Sequence, residues 1–271
     1  MKLNGLSTSN IQLLKNGDRF LVRKIYSEKR LSLQIEKQTK FYKLIGSENV
    51  LNILFSIPEI IEQTDTHLDM EYCNGNNILD LIEHGKKSDL DNIVKYLIMF
   101  LDKEFSLTNY EKISKKLVQN KLDSIDFFPE IKNKILGMIN EEYFNLPVGI
   151  CHGDFTFSNM IFSDKIILID FLDNFIESPI QDITKIYQDL NLCWTGFMSK
   201  TKRDTTKINI GYQYLKNIFQ EKVENNLIDW KINKKLINIF YAITLLRLFP
   251  YIKDDYIFSV VLKELKAVVQ V

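Results

Sequence analysis

The sequence predicts an α+β chain in two unequal parts, a small β-rich N-terminal lobe and a large, mostly helical C-terminal lobe. Three observations predict it: a hairpin signal opens the chain, the hydrophobic spacing turns helical beyond residue 77, and one short apolar hairpin interrupts the helical part past the middle. At 271 residues the chain can bury a core of that size.

In chain order, "NIQLL", the turn residues Lys15-Asn16-Gly17-Asp18 and "RFLVRKIY" make the hairpin signal, because Asn-Gly supplies the positive φ angles of a two-residue connection. The helical segment "RLSLQIEKQTKFYKLI" follows, with Leu31, Ile35, Phe41 and Leu44 near one apolar side. Strand-like "HLDMEYC" then runs into "NGNN", a break in regular structure. The expected divisions are therefore an N-terminal nucleotide-binding lobe over 1–73, a hinge over 74–77 and a helical lobe over 78–271. Within that lobe "ILDLIEHG", "DLDNIVKYLIMFLDKEF", "KISKKLVQNKL" and "EIKNKILGMINEEYF" have helical spacing, as do "IQDITKIYQDLNLCW" and "INKKLINIFYAITLLRLF".

Lys+Arg and Asp+Glu both number 35, so no global charge draws the chain to nucleic acid or to an acidic membrane surface. Cys73, Cys151 and Cys193 are far apart and odd in number, which argues against a disulfide framework or a structural zinc site. No window approaches the roughly 20 apolar residues of a membrane helix. The expectation is a soluble cytoplasmic protein that uses neither nucleic acid nor membrane.

The chemistry concentrates in "HGDFTFSNMIFSDKIILIDFLD", residues 152–173. "MIF" and "KIILI" flank Ser163-Asp164 and read as two antiparallel strands. Asn159 enters the first strand and Asp170 leaves the second, so pairing brings their oxygens side by side, with Asp154 on the loop that leads in. An amide and a carboxylate, with no sulfur or imidazole between them, suit a hard cation such as Mg²⁺ completed by substrate phosphates. With Asp154 to accept a hydroxyl proton, the set matches a phosphoryl-transfer template.

His152-Gly153-Asp154, four residues, Asn159, and then Ile169-Asp170-Phe171 resemble the HGDxxxxN and IDF motifs of the aminoglycoside phosphotransferase and choline kinase-like family, the small-molecule branch of the protein kinase-like fold. The resemblance implies a bilobal kinase-like fold and an ATP- and Mg²⁺-dependent kinase, with GTP left open as donor. It makes Asp154 catalytic and Asn159 and Asp170 metal ligands. Leu172 stands where protein kinases carry the Gly of DFG, no APE follows, and only a short segment separates Asp170 from the helix opening near Ile180. A small hydroxyl-bearing acceptor is therefore expected rather than a peptide.

The same resemblance places Ser7 and Thr8 of "GLSTSN" in a phosphate loop and either Arg23 or Lys24 on the phosphates, since neighbours in a strand face opposite ways. Glu36 is expected to pair with that cation, and Glu71 to Cys73 to meet the nucleotide base through backbone. Asp182 is expected to hydrogen-bond the backbone of the catalytic loop, and His152 to support that loop. Asp173, Glu177, Tyr187 and Trp194 are candidate acceptor-binding residues, suited to an amino alcohol, sugar or amino sugar by charge and cation–π contact. Packing and surface solvation would account for the same four residues. A biosynthetic role in a surface polymer or lipid, an aminoglycoside-inactivating kinase and a nucleotide-binding pseudokinase or regulatory scaffold stay open as functions.

Overall fold

A computed structural model describes residues 2–3, 10–17, 19–25, 28–199 and 201–270. The first elements are strands β1 (Lys2–Leu3), β2 (Asn10–Asn16) and β3 (Arg19–Ile25), helices α1 (Glu28–Ser47) and α2 (Asn49–Leu54), and strands β4 (Phe55–Ser56), β5 (Ile60–Gln63) and β6 (His67–Glu71). Then come α3 (Ile78–His84), α4 (Lys87–Ser106), β7 (Asn109–Ser114), α5 (Lys115–Asp123), α6 (Pro129–Met138), β8 (Tyr143–Val148), β9 (Met160–Phe162) and β10 (Ile166–Leu168). Helices α7 (Pro179–Leu192), α8 (Trp194–Met198), α9 (Thr205–Asn226), α10 (Lys234–Leu246) and α11 (Asp255–Val269) complete the chain. No helix among the described residues is long and apolar enough to cross a membrane.

These elements form two compact units, Met1–Ile78 with Ser158–Asp173, and Leu79–Phe157 with Asn174–Val271. In the first, five strands pair in the order β1-β2-β3-β6-β5. The β2–β3 hairpin closes with Asn16 opposite Arg19, so Asn16 belongs to the strand rather than to the turn, and Gly17 alone of the expected Asn-Gly pair takes the left-handed geometry, at φ 61°. One sheet face buries Leu68 and Met70, with Ile35 of α1 and Ile60 packed against them. Helix α1 turns Gln34, Lys37, Gln38, Phe41 and Ile45 inward, so polar residues outnumber apolar ones among these five.

Residues 158–173 belong to this unit because their hairpin builds a second sheet. Strand β10 pairs antiparallel with β9 and parallel with β4, Ile166 standing opposite both Phe162 and Phe55. Asn76 exchanges two backbone hydrogen bonds of 2.8 Å with Phe162. A side chain at Gly75 would come within 2.7 Å of the Phe162 carbonyl, so this crossing needs glycine.

The second unit is helical around α7, whose buried residues include Ile180, Ile183, Ile186, Leu190 and Leu192. Helix α10 packs along it, and Thr184 and Thr244 share a hydrogen bond of 2.9 Å across that contact. One expectation fails here. Residues 112–114 and 143–144, read as ends of helical segments, belong to the antiparallel pair β7–β8, with Ile113 opposite Phe144. The partners lie some thirty residues apart, so tertiary pairing overrides a local spacing that a short window reads as helical.

Candidate active site

Asn159 and Asp170, the expected metal ligands, both lie in the first unit. Pairing of Leu168 with Met160 continues as Ile169 N–H to the Asn159 carbonyl at 3.1 Å, which sets Asp170 one residue beyond that bond. Asn159 is buried, whereas the Asp170 side chain is one-third exposed. Asp170 sits at φ 61°, a left-handed conformation that Asp tolerates better than most residues and that costs on the order of 1–3 kcal/mol unless its surroundings hold it. Phe171 packs on Phe41 of α1 at 5.0 Å between ring centres and anchors the chain directly after it.

Lys24 makes an ion pair with Asp170. Its ammonium is buried, and burial pulls its pKa down to about 7. The carboxylate beside it favours the charged form. Arg23, the alternative cation, points to the other sheet face and forks onto Asp69 at 2.6 and 2.7 Å. Glu62, His67 and Asp69 converge on that face, with ligand atoms within 4.8 Å of one another, but Arg23 occupies both Asp69 oxygens.

Glu36 does not join Lys24. It lies on the exposed side of α1 and pairs with Lys40 at 2.7 Å, because the helix presents positions 34, 37, 38 and 41 inward. Lys37 takes an inward place instead and donates to the Leu172 carbonyl. Glu71 ends β6 opposite Leu21, and Cys73 follows just past the strand, its thiol pushed up to about 11 by partial burial and by Glu71. Ser7 and Thr8 lie outside the described residues.

The second unit builds the loop of Asp154. Asp182, in the first turn of α7, accepts the backbone N–H groups of His152 at 2.5 Å and Gly153 at 2.7 Å, the role expected of it. Gly153 has φ 88°, which spares the turn the penalty of a side chain. Buried His152 accepts the Asp154 N–H on Nδ1 at 3.3 Å.

Helix α7 reaches the same loop at two further points that the sequence reading missed. Lys185 pairs with Asp154 at 3.0 Å. Asp189, fully buried, accepts from Phe157 N–H at 2.8 Å, Thr195 N–H at 3.0 Å, the Thr195 hydroxyl at 2.6 Å and the Tyr212 hydroxyl at 3.1 Å. Burial nonetheless raises its pKa, those hydrogen bonds opposing the shift. Positions 182, 185 and 189 share one helix face, so α7 grips loop residues 152 to 157 in sequence order. The i, i+3, i+7 spacing of charged residues was the available signal.

The candidate acceptor residues have separate surroundings. Glu177 accepts from Asn174 N–H at 2.8 Å and from the Cys151 thiol at 3.2 Å, so its carboxylate holds the local chain. Tyr187 packs edge-on against Phe219 and Tyr241 in the helical core, where burial raises its pKa. It faces away from Lys185, two residues earlier on the same helix. Trp194 opens α8 and is half-buried; Asp173 is exposed and lies in the other unit.

Residues 106–200 match the model of the phosphotransferase enzyme family, a span that includes Asp154, Asn159, Asp170, Asp182, Lys185 and Asp189. No curated protein matches the chain. Among solved structures, the chain is similar in fold to a thermostable mutant of aminoglycoside phosphotransferase APH(4)-Ia in ternary complex with ADP and hygromycin B. The TM-score is 0.63 at 13% identity, covering 100% of this chain and 92% of that one. A glucosamine kinase in complex with glucosamine, ADP and inorganic phosphate aligns with a TM-score of 0.59 at 10% identity, over 95% of this chain and 79% of that one. The family match over residues 106–200 and the kinase-like fold together bear out the resemblance to the aminoglycoside phosphotransferase and choline kinase-like family.

Proposed function

We propose that this kinase transfers the terminal phosphoryl group of ATP, with Mg²⁺, to a hydroxyl of a small molecule. The observation that carries the proposal is the ion pair of Lys24 with Asp170 at the hairpin end that also holds Asn159. Asn159 and Asp170 fit Mg²⁺: both offer hard oxygen, and Asp170 draws a buried ammonium as its countercharge. When bound there, Mg²⁺ supplies charge neutralisation across the phosphates.

The chain's own groups divide the remaining work. Lys24 steadies the phosphates, and its placement on the Asp170 face supports it over Arg23, which Asp69 retains. Backbone at Glu71 to Cys73 takes the nucleotide base. Asp154 orients the acceptor hydroxyl and receives its proton, while Lys185 sets the direction of that carboxylate and Asp182 fixes the backbone before it. The rate gain then comes from positioning and charge stabilisation.

The test is ADP release on a panel of hydroxyl compounds with ATP and GTP. Asp154→Asn should lower turnover roughly 10²–10⁴-fold at unchanged melting temperature. Wild-type turnover by that variant on the true acceptor would refute the assignment.

A further inference from the structure

Arg247 ends α10 and is half-buried. It donates to the Asn174 amide oxygen at 3.1 Å, and the Asn174 amide nitrogen donates to the Gly153 carbonyl at 3.2 Å. The guanidinium therefore stands two hydrogen bonds from the backbone that leads into Asp154. A buried arginine normally finds a carboxylate or phosphate, which its planar fork matches with two parallel bonds. Among the described residues no carboxylate stands at ion-pair distance from Arg247. Asp154 has its own cation, Lys185, at 3.0 Å, and both Glu177 oxygens accept from Asn174 and Cys151.

Burial lowers the pKa of Arg247, with Asp154 and Tyr251 opposing. Lys121, in the last turn of α5, is lowered by burial and by the like charge of Arg247.

We propose that Arg247 anchors an anionic group of the acceptor, so that the substrate is a hydroxyl compound carrying a carboxylate or a phosphate. This rests on the kinase reading above and narrows it. It also departs from the expected cationic acceptor, whose candidate residues Glu177 and Tyr187 are engaged elsewhere.

The test is thermal shift of the full chain with ADP saturating the nucleotide site. The probes are glycerate, glycerol 3-phosphate, glycerol and ethanolamine at matched ionic strength. At least one anion should raise the melting temperature by several degrees, and the neutral and cationic probes should not. The two anions separate a carboxylate from a phosphate. The shift should vanish in Arg247→Gln and weaken in Arg247→Lys, which keeps the charge and loses the fork. If Arg247→Gln does not fold, Lys121→Gln should weaken the same shift.

A shift from ethanolamine alone, a shift from no probe, or an anion shift unchanged in the Arg247 variants would overturn the proposal. Turnover of a neutral or cationic acceptor without anion binding sinks this inference and leaves the kinase standing. Anion binding at Arg247 with no phosphoryl transfer to any hydroxy acid or hydroxy phosphate does the reverse.

Discussion

The hairpin of Asn159 and Asp170 is held by apolar strands, with Met160, Phe162, Ile166 and Leu168 all buried, whereas the loop of Asp154 is held by buried carboxylates, Asp182 and Asp189, reaching across from α7. The two supports respond differently to the loss of a charge. Apolar strands keep their shape when a polar residue at their tip changes. Backbone N–H groups that depend on a buried carboxylate lose their only good acceptor when it goes, and a buried unsatisfied donor costs about 1–3 kcal/mol. Activity and stability should therefore separate on the hairpin and fall together on the loop.

The sharpest contrast comes from Asp170→Asn. Loss of the carboxylate should lower turnover on the order of 10³-fold, the several kcal/mol that a metal's charge supplies to phosphoryl transfer. Stability should change by less than about 1 kcal/mol, because asparagine accepts the left-handed backbone and Lys24, already at about 7, can shed its proton rather than stay charged and unpaired. Turnover and chemical denaturation of one preparation check both halves. A large loss of stability would mean that the ion pair, not the strands, holds the hairpin.

On the loop side, Asp182→Asn should reduce both quantities. An amide offers one acceptor oxygen, and its NH₂ then faces the N–H of His152 or Gly153. A loss of about 2–4 kcal/mol is expected, with a fall in turnover because the carboxylate no longer holds the His152 and Gly153 N–H groups ahead of Asp154. If only turnover fell, Asp182 would be acting on the reaction rather than through the loop.

The same contrast explains what could be read from the sequence. The hairpin is contiguous: its strands, turn and both polar ends lie within fifteen residues, so alternation and spacing were enough to place Asn159 beside Asp170. The grip on the loop joins residues about 30 apart, and only Asp182 was legible there, through the family resemblance. Lys185 and Asp189 look like any charges on a helix until α7 proves to be buried on nearly every side. Choosing between Arg23 and Lys24 needed a partner for each, since alternation says only that they differ. The β7–β8 pair was lost for a related reason, because its strands find their alternation in each other.

Asp189 adds a pH dependence. Its folded pKa is raised by burial above the ordinary 3.8, so ionisation costs more in the folded state than in the unfolded one. At pH below the unfolded value both states are protonated and the contribution is fully present; as pH rises toward the folded pKa, the unfolded state ionises first and stability falls. The difference in unfolding free energy between wild type and Asp189→Asn should therefore shrink as pH climbs from about 4. Asparagine should itself cost about 1–3 kcal/mol at low pH, since its NH₂ meets donors from Phe157 or Thr195. A difference that grows with pH would mean that the four hydrogen bonds outweigh burial.

The smallest effect is expected where the kinase resemblance would predict a large one. In the protein-kinase arrangement a helix glutamate pairs with the phosphate-binding lysine and must be in place for catalysis. Here Glu36, the nearest candidate, sits at the surface with Lys40, and Lys24 has Asp170 instead. Glu36→Gln should leave turnover and melting temperature unchanged, because it removes one exposed i, i+4 pair of the kind that contributes little. Lys37→Met is the matching test on the inward side of the same helix, where the ammonium holds the Leu172 carbonyl just after Asp170. Turnover that falls with Lys37 and not with Glu36 would place control of the Asp170 segment on the inward face of α1. The opposite result would require α1 to rotate by about a third of a turn when nucleotide binds, bringing Glu36 toward Lys24.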